Sequence, residues 1–399
     1  MKIVFVINNL YTVGNGLSKS VRRTIQALRE KGMEVRVLSA GQSDSGEKPF
    51  YQLKNETIPV FAGVISKQGY KFAKTDKRII EQAVSWADII HLEEPFALEI
   101  AVCKIADKQK KPCVATYHLH PENLFASVYL ERSKWFNYMT MLVWRNTVFN
   151  HCRMIQCPTE NVRQRLERWR FQAELRVISN GITAESCNPV VRKHSKTGTI
   201  HILSVGRFSR EKDQDTLLNA MKYIKQADRI QLHFAGKGPT EHHLKKKAAF
   251  LYHAGILKKK PVFGFYSQEK LRELFAVSDL YIHSAIVEVE GMSCMEAVCT
   301  GIVPIIATGK LAATSQFTDN ENSLYPAGDA KTLAARIDYW IEHPAERIAE
   351  AQKYIGIEKR YLFENTIRQT IRMYEDTCSI YRSGMKRVEE NIENRNGGI

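Results

Sequence analysis

The chain has 399 residues, of which 44% are hydrophobic and 25% charged, and its formal net charge is +15. This length exceeds what one hydrophobic core usually organises, so two domains are expected. The eight cysteines lack the paired spacing of a zinc site, and no nucleic-acid-binding fingerprint accompanies the positive charge, so neither of these protein classes is indicated.

The N-terminal residues 2–7 form an apolar run that predicts a buried parallel strand. The run is too short for a signal peptide or a membrane span, and we therefore expect a cytoplasmic protein. A loop with Gly14 and Gly16 follows the run, and a helical pattern comes next. Glycines in such a loop let the backbone approach a ligand closely.

Apolar runs then alternate with helix-length stretches, as a doubly wound parallel sheet requires. In the first half the runs are 34–38, 87–92 and 112–117, and in the second half they are 199–205, 230–235, 262–263, 280–283 and 303–306. We therefore predict an α/β protein with a first domain over residues 1–182 and a second over 183–364. Residues 365–399 are expected to form a helix that returns to the first domain, followed by a polar tail.

Polar residues follow the predicted strand 112–117, among them His118, His120 and Glu122. Ligands bind at the carboxyl edge of such a sheet, so these side chains are candidates for substrate contacts. We expect His120 and Glu122 to contact the acceptor or the membrane.

Residues 135–144, between Trp135 and Trp144, mix aromatic and other apolar residues with flanking cations. Such a mixture suits a membrane interface. The basic residues Lys71, Lys74 and Lys77 would add attraction to anionic lipid. Residues 1–180 hold 27 Lys and Arg against 17 Asp and Glu. The alternative, core-facing helices with solvated basic faces, stays open.

In the second half, Arg207 and Lys212 follow a predicted strand, and two cations at this spacing suit the neutralisation of a leaving diphosphate. The adjacent Asp213 and Asp215 imitate a D-x-D metal motif. An amphipathic helical pattern begins at Thr216, and we therefore interpret both aspartates as helix-capping residues and expect no catalytic metal.

A loop that feeds a helix lies between Glu288 and Glu296. The backbone N–H groups of Gly291, Met292 and Ser293 at the helix N-terminus would bind phosphate oxygens. The two carboxylates would then bind hydroxyl groups on either side of that phosphate.

The segment from Glu288 to Glu296 resembles the E-x7-E signature of the retaining glycosyltransferase family 4, also called group 1. Arg207 and Lys212 match the family's G-R-x-x-x-E-K pattern, and His118 matches the family's histidine. Glu290 stands where the family often has an aromatic residue. The resemblance implies a GT-B fold, in which two Rossmann-like domains have parallel sheets that face a central cleft.

The resemblance also implies site residues and roles. His118 and Glu288 would face the donor sugar, and Arg207 and Lys212 the diphosphate. Donor-binding residues would be Gly14, Gly16, Gly264, Phe265, Gly291, Met292, Ser293 and Glu296. The family tendency favours a UDP-sugar, with glucose or galactose first, and no cofactor or metal is expected.

The spacing of Tyr117, His118 and Glu122 is similar to that of bacterial diacylglycerol glucosyltransferases, which are membrane-surface members of the family. We therefore predict transfer of a hexose to a lipid acceptor by a peripheral protein on the inner face of the cell membrane. Transfer to lipopolysaccharide, capsule or a soluble acceptor stays open, as do a sugar-nucleotide epimerase of the same fold and a binder without catalysis. The E-x7-E pattern with Arg207 and Lys212 disfavours the epimerase.

Overall fold

The computed structural model describes residues 1–12, 16–56, 71–126, 130, 133–187 and 198–396. The chain divides into two compact units. Unit 1 comprises Met1–Pro121, Ser133–Ser179 and Thr366–Ile399, and unit 2 comprises Glu122–Arg132 and Asn180–Asn365. The division at Asn180 lies close to the boundary expected at residue 182. Residues 122–132 group with unit 2, whereas the sequence-based division assigned them to the first domain.

The main sheet of unit 1 is parallel throughout. The strands of this unit in the described residues are β1 (Lys2–Asn9), β2 (Glu34–Ala40), β3 (Tyr51–Leu53), β4 (Asn55–Glu56), β5 (Phe72–Ala73), β6 (Ile89–Leu92), β7 (Cys113–Thr116), β8 (Cys152–Cys157) and β9 (Glu174–Val177). The sheet order is β3-β2-β1-β6-β7-β8-β9, and β4 and β5 form a separate antiparallel pair. Strand β1 is buried along almost its whole length, as expected where helices cover both faces of a parallel sheet.

Helices of unit 1 connect these strands. They are α1 (Gly16–Glu30), α2 (Lys77–Trp86), α3 (Ala97–Lys108), α5 (Lys134–Thr147) and α6 (Glu160–Arg168). The short helix α4 (Pro121–Phe125) begins at the last residue of the first segment of unit 1, and its other residues group with unit 2. The side chain of Asp76 caps α2 by accepting hydrogen bonds from the N–H groups of Arg78 and Ile79, and Thr159 caps α6 in the same way.

Unit 2 contains a second parallel sheet. Its strands are β10 (Ile200–Val205), β11 (Ile230–Ala235), β12 (Val262–Gly264), β13 (Leu280–His283), β14 (Val303–Thr308) and β15 (Leu324–Pro326), in the order β12-β11-β10-β13-β14-β15. The helices are α7 (Gln214–Ala220), α8 (Glu241–His253), α9 (Gln268–Val277), α10 (Met292–Cys299), α11 (Ala330–Glu342), α12 (Pro344–Lys353) and α13 (Glu358–Tyr361). Strands and helices that precede β13 in the chain and those that follow it contribute to one hydrophobic core, which stabilises the unit.

The last helix, α14 (Phe363–Asn396), lies almost entirely in unit 1. Tyr374 of this helix is buried and its hydroxyl lies 2.6 Å from Nδ1 of His91. Asp376 pairs with Arg176 of β9 at 2.7 Å.

The two parallel sheets with flanking helices confirm the predicted α/β fold with Rossmann-like units. In each sheet the strand order reverses at one point, between β1 and β6 in unit 1 and between β10 and β13 in unit 2. Open α/β sheets bind ligands at the carboxyl ends of the strands beside such a point. These two edges therefore position the candidate site residues.

Candidate active site

The loop after β10 is held against a neighbouring loop by a close backbone contact. A Cβ atom on Gly236 would lie 1.9 Å from the carbonyl oxygen of Gly206, so only glycine fits at this position. The Nε2 group of Gln214 donates to the carbonyl of Arg207 at 2.9 Å, and the Oγ of Ser284 donates to the carbonyl of Lys212 at 2.8 Å. These bonds fix the backbone of both predicted phosphate-binding cations.

Glu288 is fixed through its backbone as well. Its N–H donates to the carbonyl of Leu311 at 2.7 Å, and its carbonyl accepts from the N–H of Ala313 at 3.1 Å. The carboxylate is thereby placed beyond the end of β13, beside the loop that follows β10.

Lys212 and Glu288 form an ion pair in which Nζ of the lysine donates to Oε2 of the glutamate. Burial acts to raise the pKa of Glu288, but the charge of Lys212 and the hydrogen bond from His283 outweigh it and lower the pKa to about 2. The carboxylate is therefore ionised at neutral pH and acts only as a hydrogen-bond acceptor.

His283 and Tyr281 continue this cluster, and sequence reasoning missed both as site residues. Nε2 of His283 lies 3.3 Å from Oε2 of Glu288, and Nδ1 lies 3.2 Å from the hydroxyl of Tyr281. Burial lowers the pKa of His283, with Glu288 opposing the shift, so the ring is neutral at neutral pH. A histidine at the carboxyl end of an apolar strand was the signal that could have found this residue.

The helix α10 begins directly beside this cluster. Gly291, its N-cap, has a φ of 83°, and an added Cβ would lie 2.1 Å from Cγ2 of Thr314 and 3.2 Å from Cγ of Glu288. Met292 and Ser293 occupy the first positions of the helix, where backbone N–H groups have no intrahelical partner. The Oγ of Ser293 donates to the carbonyl of Val205 at 3.1 Å, which ties the helix start to β10.

The remaining donor-binding candidates of unit 2 lie at or after the carboxyl ends of β10 and β12 and on α10. Arg207 and Glu296 are half-buried, the latter on α10. Gly264 ends β12 and its carbonyl accepts from the N–H of Gly236 at 2.7 Å. Phe265 is 62% exposed, and Nζ of Lys237 lies 4.4 Å from its ring centroid.

The D-x-D aspartates have structural partners. Asp213 is the N-cap of α7, and its Oδ2 accepts from the hydroxyl of Thr216 at 2.6 Å. Asp215 pairs with Lys247 at 2.6 Å and with His243 at 2.9 Å. Within the described part of the chain, no group of three or more His, Cys, Asp and Glu side chains could hold a metal ion.

Glu290, for which the sequence predicted no role, is buried and hydrogen-bonds Asn180. Its carboxylate accepts from the N–H of Asn180 at 3.1 Å and from the side-chain amide of the same residue at 2.6 Å. These hydrogen bonds fix Asn180, the first residue of the longer segment of unit 2.

In unit 1, His118 follows β7 and its Nε2 lies 2.7 Å from Oε2 of Glu93, which follows β6. Gly16 is the first residue of α1, at the same edge of the sheet as the end of β1. Gly14 lies outside the described residues.

The structure corrects the suggestion that His120 contacts the acceptor. Its side chain is fully buried and hydrogen-bonds the hydroxyl of Tyr117 at 3.1 Å. Glu122 is half-buried in α4.

The aromatic stretch divides between two faces of α5. Trp135 is 64% exposed, whereas Trp144 is 4% exposed and packs edge-on against Phe96 with ring centroids 6.1 Å apart. The prediction that Trp144 faces a membrane is therefore wrong, because helical periodicity turns it into the core. The basic residues Lys71, Lys74 and Lys77 are exposed. None of the helices in the described ranges is long and apolar enough to span a membrane.

Two known protein families together match most of the chain. The family described as "Glycosyltransferase Family 4" matches residues 14–186, and the family described as "Glycosyl transferases group 1" matches residues 190–358. The chain belongs to the group 1 glycosyltransferases, family 4. This assignment confirms the predicted enzyme class.

Relatives of this glycosyltransferase include enzymes whose names contain a lipid. It is 24% identical to the alpha-monoglucosyldiacylglycerol synthase of Streptococcus pneumoniae, over 86% of this chain and 79% of that enzyme. It is 22% identical to the phosphatidyl-myo-inositol mannosyltransferase of Mycobacterium leprae, over 95% of this chain and 98% of that enzyme.

A solved structure shares the fold. The Anabaena protein Alr3699/HepE, crystallised with UDP and glucose, is 15% identical to this glycosyltransferase and has a TM-score of 0.68. The match covers 94% of this chain and 100% of that one. Neighbours of this kind support the GT-B architecture predicted from the sequence.

Proposed function

We propose that this glycosyltransferase moves a hexose, glucose or galactose, from a UDP-sugar to a lipid acceptor such as diacylglycerol, with retention of the anomeric configuration. The observation that carries the proposal is the ion pair of Lys212 and Glu288 beside the N-terminus of α10. A cation, an ionised carboxylate and unpaired backbone N–H groups at one sheet edge suit a negatively charged leaving group that is attached to a sugar.

Each part of the donor then has a proposed partner. The N–H groups of Gly291, Met292 and Ser293 bind diphosphate oxygens, because the unpaired donors and the helix dipole favour an anion. The charges of Arg207 and Lys212 stabilise the diphosphate as it gains negative charge on leaving.

The carboxylates complete the assignment. Glu288 accepts hydrogen bonds from hydroxyls of the donor sugar, since an ionised carboxylate is an acceptor only. Glu296 binds the ribose hydroxyls, and His118 binds the donor sugar, as the family resemblance implies. No metal takes part in this proposal, since the diphosphate charge already has cationic partners and the carboxylate of Asp215 pairs with Lys247.

A lipid acceptor is supported by the names of the two curated relatives and by the surface of unit 1. The outward face of α5 carries exposed apolar residues, which are Trp135, Phe136, Tyr138, Met139 and Val143. The ring of Tyr138 lies 5.2 Å from that of Trp169, and the exposed cations Arg168 and Arg170 flank this tryptophan in the chain. We propose that this face, with Lys71, Lys74 and Lys77, binds the anionic inner surface of the cell membrane.

The test is product analysis by mass spectrometry. The purified protein is offered a panel of nucleotide sugars with diacylglycerol, with ceramide and with soluble sugar acceptors. A hexosyl lipid formed from a UDP-hexose supports the proposal. Products on soluble acceptors alone would contradict the proposed lipid acceptor. An epimerised nucleotide sugar without transfer would contradict the proposed transfer reaction.

A further inference from the structure

Glu93 is a buried carboxylate that the proposed chemistry does not use. It follows β6 at the sheet edge where the strand order reverses, and two histidines face it. Nε2 of His118 lies 2.7 Å from its Oε2, and Nε2 of His91 lies 3.7 Å from its Oε1.

The proton position on His91 follows from a chain of hydrogen bonds that begins at a carbonyl. The carbonyl of Ile178 can only accept, so the side-chain amide nitrogen of Gln156 donates to it at 3.1 Å. The amide oxygen of Gln156 must therefore accept from the hydroxyl of Thr116, at 3.4 Å. Since the Thr116 proton is used in this bond, its oxygen accepts from Nε2–H of His91 at 2.8 Å.

Burial lowers the pKa of His91, so its ring is neutral and carries one proton, which lies on Nε2. Nδ1 is then an acceptor and receives the hydroxyl proton of Tyr374 at 2.6 Å. The series of hydrogen bonds from Tyr374 on α14 to Ile178 thus keeps the proton of His91 on Nε2, the ring nitrogen nearer to Glu93.

Glu93 itself is ionised. Burial acts to raise its pKa, but His91 and the hydrogen bond from His118 outweigh burial and lower it. A carboxylate without a proton only accepts, so the 2.7 Å contact requires a proton on Nε2 of His118.

We propose that Glu93 is a positioning residue that holds His118 with its proton on Nε2 and so presents Nδ1 to a hydroxyl of the donor sugar. This inference rests on the proposed function, which places the donor sugar at His118. A ring nitrogen without a proton accepts a hydrogen bond, so Nδ1 fits a hydroxyl donor of the hexose rather than a phosphate oxygen. In histidines at functional sites, the hydrogen bond made by one ring nitrogen often determines which nitrogen carries the proton.

The next residue along the chain offers a matched control. Glu94 is buried as well, but its carboxylate accepts from the backbone N–H of Asn8 at 2.7 Å and from the side-chain amide of Asn8 at 3.1 Å. Burial raises the pKa of Glu94, whereas that of Glu93 is lowered. Glu94→Gln therefore removes a neighbouring carboxylate of similar burial that hydrogen-bonds Asn8 and interacts with His118 through its charge.

The experiment is imidazole nitrogen NMR on the full-length protein labelled with nitrogen-15 at histidine, with the His118 signals assigned from their loss in His118→Asn. We expect His118 of the parent protein to carry its proton on Nε2. In Glu93→Gln we expect a mixture of tautomers. By analogy with the loss seen when the partner of a metal-binding histidine is removed, turnover should fall about ten- to a hundredfold. Glu94→Gln should leave the His118 proton on Nε2, because the hydrogen bond to Glu93 remains. The affinity for UDP, which lacks the sugar, should change little in either variant.

A proton on Nδ1 of His118 in the parent, or unchanged signals with turnover within about twofold of the parent in Glu93→Gln, would overturn the inference, given the larger effect expected. The parent spectrum decides the tautomer even if Glu93→Gln fails to fold. Because this spectrum needs no substrate, failure of the inference is distinguishable from failure of the transfer assay.

Discussion

The ammonium group of Lys212 donates a hydrogen bond to Oε2 of Glu288, a residue 76 positions further along the chain. The contact joins the loop after β10 to the loop after β13, and these two strands are neighbours at the point where the strand order of unit 2 reverses. The fold itself thus holds together the cation that we propose stabilises the leaving group and the carboxylate that we propose binds the sugar.

The first prediction concerns the two cations. Arg207→Ala and Lys212→Ala should each lower turnover about a hundredfold or more, because each removes a positive charge that we propose faces the diphosphate in the transition state. Circular dichroism should show a retained fold. Lys222→Ala, which removes an exposed cation of the same unit, is the control and should leave turnover near that of the parent. Turnover within about twofold of the parent for both site variants would remove their assignment, given the size of a typical contact of this kind.

The second prediction is a pH dependence of stability. Because folding lowers the pKa of Glu288 from 4.5 to about 2, the carboxylate contributes stability that is present above pH 4.5 and is lost as the pH falls through 2. The shift corresponds to about 3 kcal/mol of unfolding free energy. Lys212→Met should therefore lower the unfolding free energy at pH 7 by an amount of this order, and by less than half as much at pH 3.

Urea unfolding at the two pH values measures this difference. Lys225→Met, which breaks an exposed ion pair with Glu342 at 3.0 Å, is the control and should be much less destabilising at either pH. An equal loss at pH 7 and pH 3 for Lys212→Met would show that the ion pair does not lower the pKa of Glu288.

The third prediction is that catalysis needs no divalent metal. Asp215 is already paired with Lys247 and His243, and Asp213 binds the hydroxyl of Thr216. Turnover should survive EDTA, and Asp215→Asn should weaken stability more than catalysis. Complete loss of activity with EDTA that magnesium or manganese restores would contradict this interpretation of the D-x-D sequence.

The fourth prediction concerns membrane binding by unit 1. Replacing Lys71, Lys74 and Lys77 by Glu should reduce sedimentation with anionic vesicles while sparing hydrolysis of the donor in solution, since each basic residue near such a surface contributes about 1 kcal/mol. Binding by the parent should weaken as salt rises. The matched control replaces three exposed lysines of unit 2, Lys222, Lys246 and Lys258.

The exposed aromatic residues allow a second comparison. Trp135→Ser should weaken vesicle binding, whereas Phe250→Ser, at a residue of unit 2 that is 62% exposed, should not. A parent protein that ignores anionic vesicles even at low salt would contradict the membrane proposal and leave the family assignment untouched.

Strand β13 is buried at every residue and begins and ends where the sequence predicted. Strand β11, in which buried apolar residues alternate with the half-buried Gln231 and His233, also has the expected bounds. Strand β8 was missed because Arg153 and Gln156 interrupt its apolar pattern. The Gln156 side chain is buried all the same, since Ile178 and Thr116 satisfy its amide. A pattern of hydrophobicity does not contain such partners.

The candidate site shows the same difference. Motif spacing brought Glu288, Gly291 and Lys212 to attention, and the structure places them together. The sequence analysis placed Trp144 on the exposed face of α5, because the sequence of a helix that is apolar on two sides does not reveal which side is buried. Glu93 was missed because its partner His118 follows a different strand of the sheet. Tyr374, which orients His91, lies 283 positions away from it.

The most direct test of the central claim is the anomeric configuration of the lipid product made from UDP-glucose and diacylglycerol. The glucose of UDP-glucose is α-linked, so a retaining transferase gives an α-glucosyl lipid, which proton NMR identifies from the small coupling constant of the anomeric proton. We expect this α-linked product from the parent protein and its loss in Glu288→Gln, while Lys222→Ala still forms it. A β-linked product, or an epimerised nucleotide sugar in place of a glycolipid, would contradict the account.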